Sequence, residues 1–311
     1  MSSESFPIYA LTGCTAVGKT ELALKWAESN DAEIVSCDSL LFYRGMDIGT
    51  AKPTLEERNR VVHHLVDVRD PDQQMDIGEY VERAISTLRD IRQRGKRALV
   101  TGGSGFYLKA FFQPVVDTVV VSDATKAEVA RIESSEGLEG LRRALKERDP
   151  DCGIELDTDN PRRVVRALER CWETGKSVRQ LKEEFACQSN ELIEAEKRLV
   201  VLERDRDSLN RRIGRRVSLM MAAGLIEEVE RLRDQGFEAN ASAAGSIGYR
   251  ETLAYLRGEY GKDELVERIE TNTRRLAKKQ RTWFRTQLPV GQRIDLDNAD
   301  AGLGERLFRE S

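Results

Sequence analysis

The chain is poor in several residue types that support common kinds of chemistry. Its 311 residues include two histidines, adjacent at His63 and His64, and five cysteines without a C-x-x-C pair. So few histidines leave little room for a His-based catalytic triad or a histidine metal site, and the cysteine spacing predicts neither a zinc finger nor a disulfide framework. We therefore expect any general base to be a carboxylate.

Long apolar runs are also missing. No run approaches the length of about 18 residues that a membrane span needs, and residues 1–7 lack the basic and apolar regions of a signal peptide. With 40% hydrophobic and 33% charged residues, the chain can bury a sizeable core. We expect a soluble, cytoplasmic protein, built as one large domain with an elaboration or as two domains.

What is present is a glycine-rich phosphate motif near the start of the chain. Residues 12–20 read TGCTAVGKT, and residues 13–20 match G-x-x-x-x-G-K-T in full. A strand-like segment precedes the motif and a helix-forming segment follows it, so backbone amides and a helix N-terminus are expected to bind phosphate oxygens. The Thr20 hydroxyl is suited to Mg²⁺. The predicted phosphate-binding residues are Gly13, Thr15, Ala16, Val17, Gly18, Lys19 and Thr20.

Asp38 is the first catalytic candidate. Kinases and NTPases usually pair such a loop with a strand that ends in a metal-binding aspartate, but the best later strand, 97–101, ends in GGSG. The strands that do end in acids are 33–38 and 64–70. Asp38 is expected at the carboxyl edge of a parallel sheet, beside the phosphate loop. The alternative is that Asp38 only caps a helix begun by Ser39 and Leu40.

A basic helix is predicted near the end of the chain, although the net charge of −4 would ordinarily argue against a nucleic-acid partner. Residues 271–287 contain no acid. The spacing puts four cations on one face and four apolar residues near the opposite face. The pattern favours contact with phosphate backbone, and a solvated face is the alternative. The cations are Arg274, Lys278, Arg281 and Arg285, and the apolar residues are Leu265, Ile269, Leu276 and Trp283.

The order of predicted elements indicates an α/β fold with a P-loop NTPase-like parallel sheet core flanked by helices, interrupted by a helical insertion domain. Strands are predicted near 7–13, 33–37, 64–69, 97–101, 197–202 and 293–296. Helices are predicted near 19–30, 78–95, 104–112, 138–147, 161–174, 178–185, 208–222, 225–234, 247–258 and 262–286. We therefore divide the chain into a first core part at 1–121, an insertion at 122–196 and a core completion at 197–311.

Seven motifs in order resemble those of the bacterial tRNA dimethylallyltransferases, also called tRNA isopentenyltransferases. They are TGCTAVGKT at 12–20, SCDS at 36–39, YRGMDIGTAKP at 43–53, GGSGFY at 102–107, NPRRVVRALE at 160–169, IGYRE at 247–251 and QRTWFR at 280–285. The resemblance runs from about residue 8 to 286. It implies transfer of a dimethylallyl group from dimethylallyl diphosphate to N6 of adenosine 37, with Mg²⁺ as cofactor.

The resemblance also implies the partners and the use of the phosphate loop. The partners are the anticodon stem-loop of tRNA and dimethylallyl diphosphate, with no membrane, and the protein is expected to be a monomer. The loop then holds the diphosphate of the donor instead of ATP, which accounts for the missing second aspartate. The alternative is a P-loop small-molecule or nucleotide kinase, or a nucleic-acid-binding NTPase.

Individual roles follow from the aligned motifs. The resemblance implies that Asp38 takes the proton from the attacking amine and that Lys19 and an arginine stabilise the leaving diphosphate; for the arginine we prefer Arg216 to Arg212. Ser104 aligns with a family threonine that contacts the target nucleotide, and otherwise is a simple turn serine. The resemblance assigns tRNA contact to Asp38, Ser39, Leu40, Leu41, Ser104, Arg162, Arg163, Arg166, Arg274, Lys278, Arg281 and Arg285.

Two positions depart from the family pattern. Cys14 stands where the family usually has proline after the first glycine, and Leu41 stands where it usually has glutamine. Cys14 is expected to preserve the loop geometry with a less rigid backbone. Leu41 lacks an amide that could hydrogen-bond the substrate.

Overall fold

A parallel β-sheet carries the phosphate loop at its centre. The computed structural model describes residues 6–300 and 302–308. Within these residues the sheet has six strands in the order β3-β2-β4-β1-β5-β6, and every pairing is parallel. This arrangement confirms the predicted α/β class. The strands are β1 Ile8–Gly13, β2 Ala32–Ser36, β3 His63–His64, β4 Arg97–Gly102, β5 Lys197–Glu203 and β6 Gln292–Asp295.

Helices cover the sheet, as the buried strands require. Every residue of β1 is buried, which is typical of a central parallel strand with both faces covered. A 3₁₀ helix lies at Phe237–Ala239. The α-helices are α1 Lys19–Ser29, α2 Leu55–Arg60, α3 Ile77–Gln93, α4 Gly105–Lys109, α5 Asp123–Arg148, α6 Cys152–Glu155, α7 Pro161–Thr174, α8 Val178–Ala186, α9 Glu191–Glu194, α10 Arg206–Ala222, α11 Leu225–Asp234, α12 Ala241–Ala244, α13 Tyr249–Leu256, α14 Lys262–Gln287 and α15 Leu303–Arg306.

The third strand is much shorter than the sequence predicts. The alternation at 64–69 predicts a strand, but only His63 and His64 pair with β2. Leu65 and Asp67 then adopt positive φ angles of 58° and 56°, which no β-strand contains. The Asp67 carboxylate binds Lys52 Nζ at 2.6 Å and Arg58 at 2.7 Å. These two ion pairs hold the chain in a turn where the apolar pattern alone suggests extension.

The chain forms two compact units. The described residues up to Phe112 and from Glu191 onward form the first, and Gln113–Asn190 form the second. These bounds differ from the predicted insertion at 122–196. Helix α9 belongs to the first unit because Leu192 is buried and Arg89 of α3 donates a hydrogen bond to Glu191 at 2.9 Å. No helix among residues 6–300 and 302–308 is long and apolar enough to cross a membrane.

The second unit is helical and has its own apolar core. Helix α5 is longer than the predicted segment 138–147, and it is kinked at Gly137, where φ is 62°. Helix α7 begins with Asn160 as its N-cap and Pro161 in its first turn, a favourable start for a helix. The core residues are Val129, Ile132, Leu141, Leu145, Cys152, Val164, Ala167, Leu168 and Cys171.

The sheet order brings three loops to one edge of the first unit. Strand β4 lies between β1 and β2, so the turns after all three strands meet where parallel strands end. Gly102 at the end of β4 permits this approach, because a Cβ there would lie 2.1 Å from the carbonyl oxygen of Cys37. The phosphate loop, Asp38 and the GGSG turn therefore share one edge of the sheet.

Candidate active site

The phosphate loop connects β1 to α1 and is folded around Lys19. Gly18 has a φ of 114° just before α1, a conformation that favours glycine, and Ala16 has a φ of 61°. Lys19 Nζ donates hydrogen bonds to the carbonyl oxygens of Gly13 at 2.8 Å and Cys14 at 2.9 Å. An ammonium group has three protons, so one remains for a ligand. Burial lowers the pKa of Lys19 to about 8, Asp38 opposes the shift and Arg216 adds to it.

Helix α14 braces the inner side of the phosphate loop. Gln280 Oε1 accepts a hydrogen bond from the Thr15 amide at 2.8 Å, and its Nε2 donates to the Gly103 carbonyl oxygen at 2.8 Å. The Cys14 thiol donates to the carbonyl oxygen of Ala277 at 3.3 Å. Proline could not make this last contact, so the departure at Cys14 adds a link between the loop and α14.

Two arginines brace the outer side of the loop. Arg204 Nε donates to the Val17 carbonyl oxygen at 2.8 Å, and Arg212 Nε donates to the Ala16 carbonyl oxygen at 2.7 Å. Asp297, just after β6, binds the Arg204 guanidinium at 2.6 Å. Asp297 also accepts hydrogen bonds from the Asp205 amide at 2.7 Å and the Ser208 hydroxyl at 2.8 Å. The loop is therefore held by segments distant in sequence on both sides.

Asp38 directs one carboxylate oxygen toward the loop. Its Oδ1 accepts a hydrogen bond from the Leu40 amide at 3.2 Å. Residues 39–42 form turns without a helix, so the helix-cap alternative for Asp38 does not apply. A Cβ placed on Gly103 would lie 3.9 Å from Asp38 Oδ2 and 3.8 Å from Lys19 Nζ. The carboxylate and the ammonium thus border the same small region of space.

Ser104 lies beside the Asp38 turn. Its hydroxyl oxygen accepts a hydrogen bond from the Ser39 amide at 3.0 Å and lies 3.2 Å from the Ser39 hydroxyl. The Ser104 side chain does not cap α4. Gly105 follows, and a Cβ there would lie 2.4 Å from the Trp283 ring. The Ser104 hydroxyl therefore links the turn after β4 to the turn after β2.

Helix α10 presents arginines to the same region. The Arg216 guanidinium donates from Nη2 to the carbonyl oxygen of Thr50 at 3.1 Å. Burial lowers the pKa of Arg216 from its ordinary value, and the Asp38 carboxylate opposes that shift. Arg212 contacts the phosphate loop itself. The two candidate arginines therefore occupy different positions, Arg212 against the loop and Arg216 within electrostatic reach of Asp38.

These groups surround one pocket of about 1070 Å³. Its walls come from the phosphate loop, the turns after β2 and β4, helix α10 and helix α14. The predicted site residues that line the pocket are Thr15, Ala16, Gly18, Lys19, Thr20, Asp38, Ser39, Leu40, Leu41, Ser104, Arg216 and the alternative arginine, Arg212.

Other predicted site residues lie elsewhere. Gly13 and Val17 are buried behind the loop surface. On α7 in the second unit, Arg162, Arg163 and Arg166 are exposed, and Arg163 pairs with Asp157 at 3.1 Å. The four cations of α14 are exposed and do not line the pocket; they are Arg274, Lys278, Arg281 and Arg285.

Helix α14 differs in two details from the sequence prediction. Leu276 and Trp283, predicted on the buried face, are half-buried and line the pocket, while Thr273, Ala277 and Phe284 are buried. The cationic face is also partly engaged. Arg274 forms an ion pair with Glu270, just outside the acid-free segment, and Arg281 donates to the Arg204 carbonyl oxygen at 2.9 Å.

Sequence reasoning assigned no role to several residues of the pocket. Arg211 and Arg215 line it one helical turn apart, a spacing of i and i+4 that the sequence itself shows. Thr50 and Gln280 belong to recognised motifs, but their contacts join segments far apart in the chain. Only the folded arrangement reveals those partners.

The fold and the pocket define a P-loop-type α/β protein in which cationic side chains lie beside a carboxylate. A family model described as IPP transferase matches residues 41–287. The chain belongs to the IPP transferase family. The match begins after the phosphate loop and Asp38. It therefore supports the family resemblance found in the sequence independently of those two features. Family membership leaves the kinase alternative without support.

Two bacterial proteins are similar to this chain over nearly its whole length. The tRNA dimethylallyltransferase of Opitutus terrae is 55% identical over 294 residues, covering 94% of each chain. The tRNA dimethylallyltransferase of Geobacter metallireducens is 42% identical over 282 residues, covering 91% of this chain and 90% of the relative.

Solved structures are similar as well. The full-length tRNA isopentenylpyrophosphate transferase from Bacillus halodurans has a TM-score of 0.72 at 32% identity, with 97% of this chain and 94% of that chain covered. A eukaryotic dimethylallyltransferase described as acting on tRNA has a TM-score of 0.82 at 25% identity, with 97% of this chain and 78% of that chain covered.

Proposed function

We propose that this protein transfers a dimethylallyl group from dimethylallyl diphosphate to N6 of adenosine 37 in tRNA. The products are N6-dimethylallyladenosine and diphosphate. One observation carries the proposal: in a member of the IPP transferase family, a phosphate loop and a carboxylate line the same pocket. A phosphate loop suits the leaving group, and a carboxylate suits the proton of the attacking amine.

The phosphate loop forms the diphosphate end of the pocket. Backbone amides at the start of α1 and the positive end of the helix favour an anion there. Lys19 has a proton free after its two carbonyl contacts, and Arg216 adds a second cation. Negative charge grows on the diphosphate as its C–O bond breaks, so these fixed cations stabilise the transition state more than the ground state.

The residues at this end fit Mg²⁺ bound together with a diphosphate. The Thr20 side chain is exposed and lines the pocket, so its hydroxyl oxygen is available as a ligand. Among residues 6–300 and 302–308 there is no group of three or more His, Cys, Asp or Glu residues that could hold a metal ion. The remaining ligands would therefore come from phosphate oxygens and water, as Mg²⁺ prefers. The bound ion would neutralise charge on the leaving group.

Asp38 acts at the nucleotide end. The N6 amine attacks the allylic carbon that carries the diphosphate, a C–N bond forms and the C–O bond breaks. The amine loses its proton to Asp38, and the bonding electrons leave with the diphosphate. We assign the proton to Oδ2, which faces Gly103, whereas Oδ1 accepts the hydrogen bond from the Leu40 amide. A free amine is a weak acid, so the proton leaves as the C–N bond forms.

The RNA contacts we propose form two groups. Ser39, Leu40, Leu41 and Ser104 line the pocket and are suited to a nucleotide turned out of its loop. The exposed cations of α7 and α14 are suited to the phosphate backbone. We also propose that the protein works as a monomer in the cytoplasm, where unmodified tRNA occurs.

Transfer of labelled dimethylallyl diphosphate to an unmodified anticodon stem-loop with adenosine at position 37 tests the proposal. The wild type is expected to transfer the label, and Asp38→Asn is expected to lower kcat by roughly 10² or more while both substrates still bind. Asparagine keeps an acceptor for the Leu40 amide. A stem-loop with inosine at position 37, which lacks the exocyclic amine, is the matched control. Transfer to inosine, or an unimpaired Asp38→Asn variant, contradicts the mechanism.

A further inference from the structure

Glu228 is a buried carboxylate that the proposed reaction does not use. It lies on α11 and is 1% exposed. Its Oε2 accepts hydrogen bonds from the Asp47 amide at 3.0 Å and the Ile48 amide at 2.7 Å. Its Oε1 accepts from the Gly49 amide at 3.1 Å and the Tyr249 hydroxyl at 2.7 Å. Among the described residues no lysine or arginine pairs with Glu228.

A buried carboxylate without a cation is costly unless hydrogen bonds satisfy it. Glu228 is satisfied by four donors, and three of them are consecutive main-chain amides. Such a carboxylate fixes the backbone that surrounds it, because any change in the turn removes donors from a buried charge. Apolar packing could fill the same volume but could not orient amides.

Tyr249 completes this arrangement. Burial raises its pKa well above the ordinary value, and the neighbouring Glu228 carboxylate raises it further. The hydroxyl therefore stays protonated and donates. The ring also packs against Gly49, where a Cβ would lie 2.5 Å from a ring carbon. The turn is thus held by hydrogen bonds on one side and by close ring packing on the other.

The backbone that Glu228 binds continues into the wall of the pocket. We call residues 47–50 the 47–50 turn. Its Gly49 and Thr50 line the pocket, and the Thr50 carbonyl oxygen accepts the hydrogen bond from Arg216. The other end of the turn is held by the buried Lys52, whose Nζ binds the Asp47 carboxylate at 2.7 Å. Among residues 6–300 and 302–308, the hydrogen-bond partner of the Arg216 guanidinium is thus a carbonyl of the same turn whose preceding three amides bind Glu228.

We propose that Glu228 is a positioning residue that sets the direction of the Arg216 guanidinium through the 47–50 turn. Glu228 touches neither substrate. It fixes three amides, the amides fix the Thr50 carbonyl, and that carbonyl holds one nitrogen of the guanidinium so that the others face the pocket. The inference rests on the proposed function for its substrate, the diphosphate of the prenyl donor.

Glu228→Gln tests the proposal, because glutamine keeps the volume but replaces one acceptor oxygen with an NH₂ group that faces donors. We expect kcat/KM for dimethylallyl diphosphate to fall roughly tenfold, while the dissociation constant for the stem-loop stays unchanged. The decisive measurement is a double-mutant cycle with Arg216→Ala. In that background Glu228→Gln is expected to have little further effect, because the group it positions is gone.

Glu33→Gln is the matched control. Glu33 is also a buried glutamate, 2% exposed, but it lies on β2 near the amino end of the strand and binds Arg94 and His64. If loss of a buried glutamate acts only through general stability, Glu33→Gln should lower kcat/KM as well. In the double variant, the factors by which Glu33→Gln and Arg216→Ala lower kcat/KM should then multiply. If Glu228→Gln also multiplies with Arg216→Ala, or leaves kcat/KM for the donor unchanged, the proposal is wrong.

Two further measurements keep the test decisive. If Glu228→Gln does not fold, Tyr249→Phe removes one donor and keeps the ring, and the same cycle with Arg216→Ala applies. If the wild type transfers no prenyl group, the proposed function fails, but the cycle can still be run on the affinity for inorganic diphosphate. Weaker binding in Glu228→Gln that disappears in the Arg216→Ala background supports the positioning role. Unchanged binding rejects it.

Discussion

The two ends of the pocket are held in different ways. At the phosphate end, each cation is tied to main-chain carbonyls: Lys19 to Gly13 and Cys14, and Arg216 to Thr50. At the nucleotide end, Asp38 keeps Oδ2 without a hydrogen-bond donor from any residue in 6–300 or 302–308. In the proposed mechanism, the cations are therefore fixed before the diphosphate binds, whereas Oδ2 of the proton acceptor is still free to accept a proton.

The largest effect should come from removing a fixed cation. We expect Arg216→Ala to lower kcat/KM for the prenyl donor by roughly 10² or more, since a group that stabilises developing charge is lost. Arg212→Ala should have a smaller effect, because Arg212 is exposed and its contact is with the loop backbone. Steady-state kinetics with the donor varied would check both. Equal losses would show that the two arginines share the role.

The pH dependence of the phosphate end gives the next effect. Burial lowers the pKa of Lys19 from 10.5 to about 8, so the free protein loses this positive charge as the pH rises through about 8. We expect kcat/KM for the donor to fall by up to about tenfold per pH unit above that value. A bound diphosphate favours the charged form, so kcat should persist to higher pH. A pH profile of both constants would show the separation.

The same titration changes stability in the opposite direction. In the unfolded chain lysine holds its proton up to about 10.5, so between about 8 and 10.5 the unfolded state binds more protons than the native state. The Lys19 contribution to the free energy of unfolding therefore rises with pH in this window while activity falls. Lys19→Arg, which stays charged, should lack the fall in kcat/KM near 8; a fall of the same size in that variant would assign it to another group.

Substitution of Ser104 tests the nucleotide end of the pocket, and its expected effect is smaller than the effects above. Ser104→Ala removes the acceptor of the Ser39 amide and a hydroxyl from the pocket wall. We expect kcat/KM for the stem-loop to fall roughly fivefold, about the value of one hydrogen bond, with the donor constants little changed. Ser104→Thr keeps the hydroxyl and should retain activity. If Ser104→Ala affects the donor and the RNA equally, the division between the two ends is wrong.

Substitution of the α14 cations should give the smallest effect. Only stem-loop binding should change. Lys278 and Arg285 are exposed, whereas Arg274 pairs with Glu270 and Arg281 binds a carbonyl oxygen. The measured quantity is the slope of the logarithm of the stem-loop binding constant against the logarithm of the salt concentration. We expect Lys278→Gln and Arg285→Gln each to reduce this slope by about the amount of one phosphate contact. Lys262→Gln, exposed at the other end of α14, is the control. An unchanged salt slope in all three variants would favour a solvated face.

The parts of the site that follow from local patterns are the parts that sequence reasoning places well. The loop from Gly13 to Thr20 depends on a strand, a few glycines and a helix start within one short segment. Asp38 could be placed at the sheet edge because parallel strands end together. The basic face of α14 followed from helical spacing, although the ion pair of Arg274 did not.

What could not be predicted depends on contacts between distant segments. The carboxylate of Glu228 binds amides about 180 residues earlier in the chain, and neither segment shows this partner in its own pattern. The short β3 depends on contacts at shorter range, since the side chains of Lys52 and Arg58 bind Asp67 and override the strand pattern. The different surroundings of Arg212 and Arg216 likewise could not be predicted, because their partners Ala16 and Thr50 lie far from α10 in the chain.

The position of Asp297 has a consequence for the order in which the site is completed. A ribosome makes Asp297 only after the phosphate loop and all the residues between them. Because Asp297 binds Arg204, and Arg204 binds the Val17 carbonyl oxygen, these contacts to the outer side of the loop cannot form until residue 297 has left the ribosome. A nascent chain therefore carries the complete phosphate motif long before it can form every contact that holds the loop.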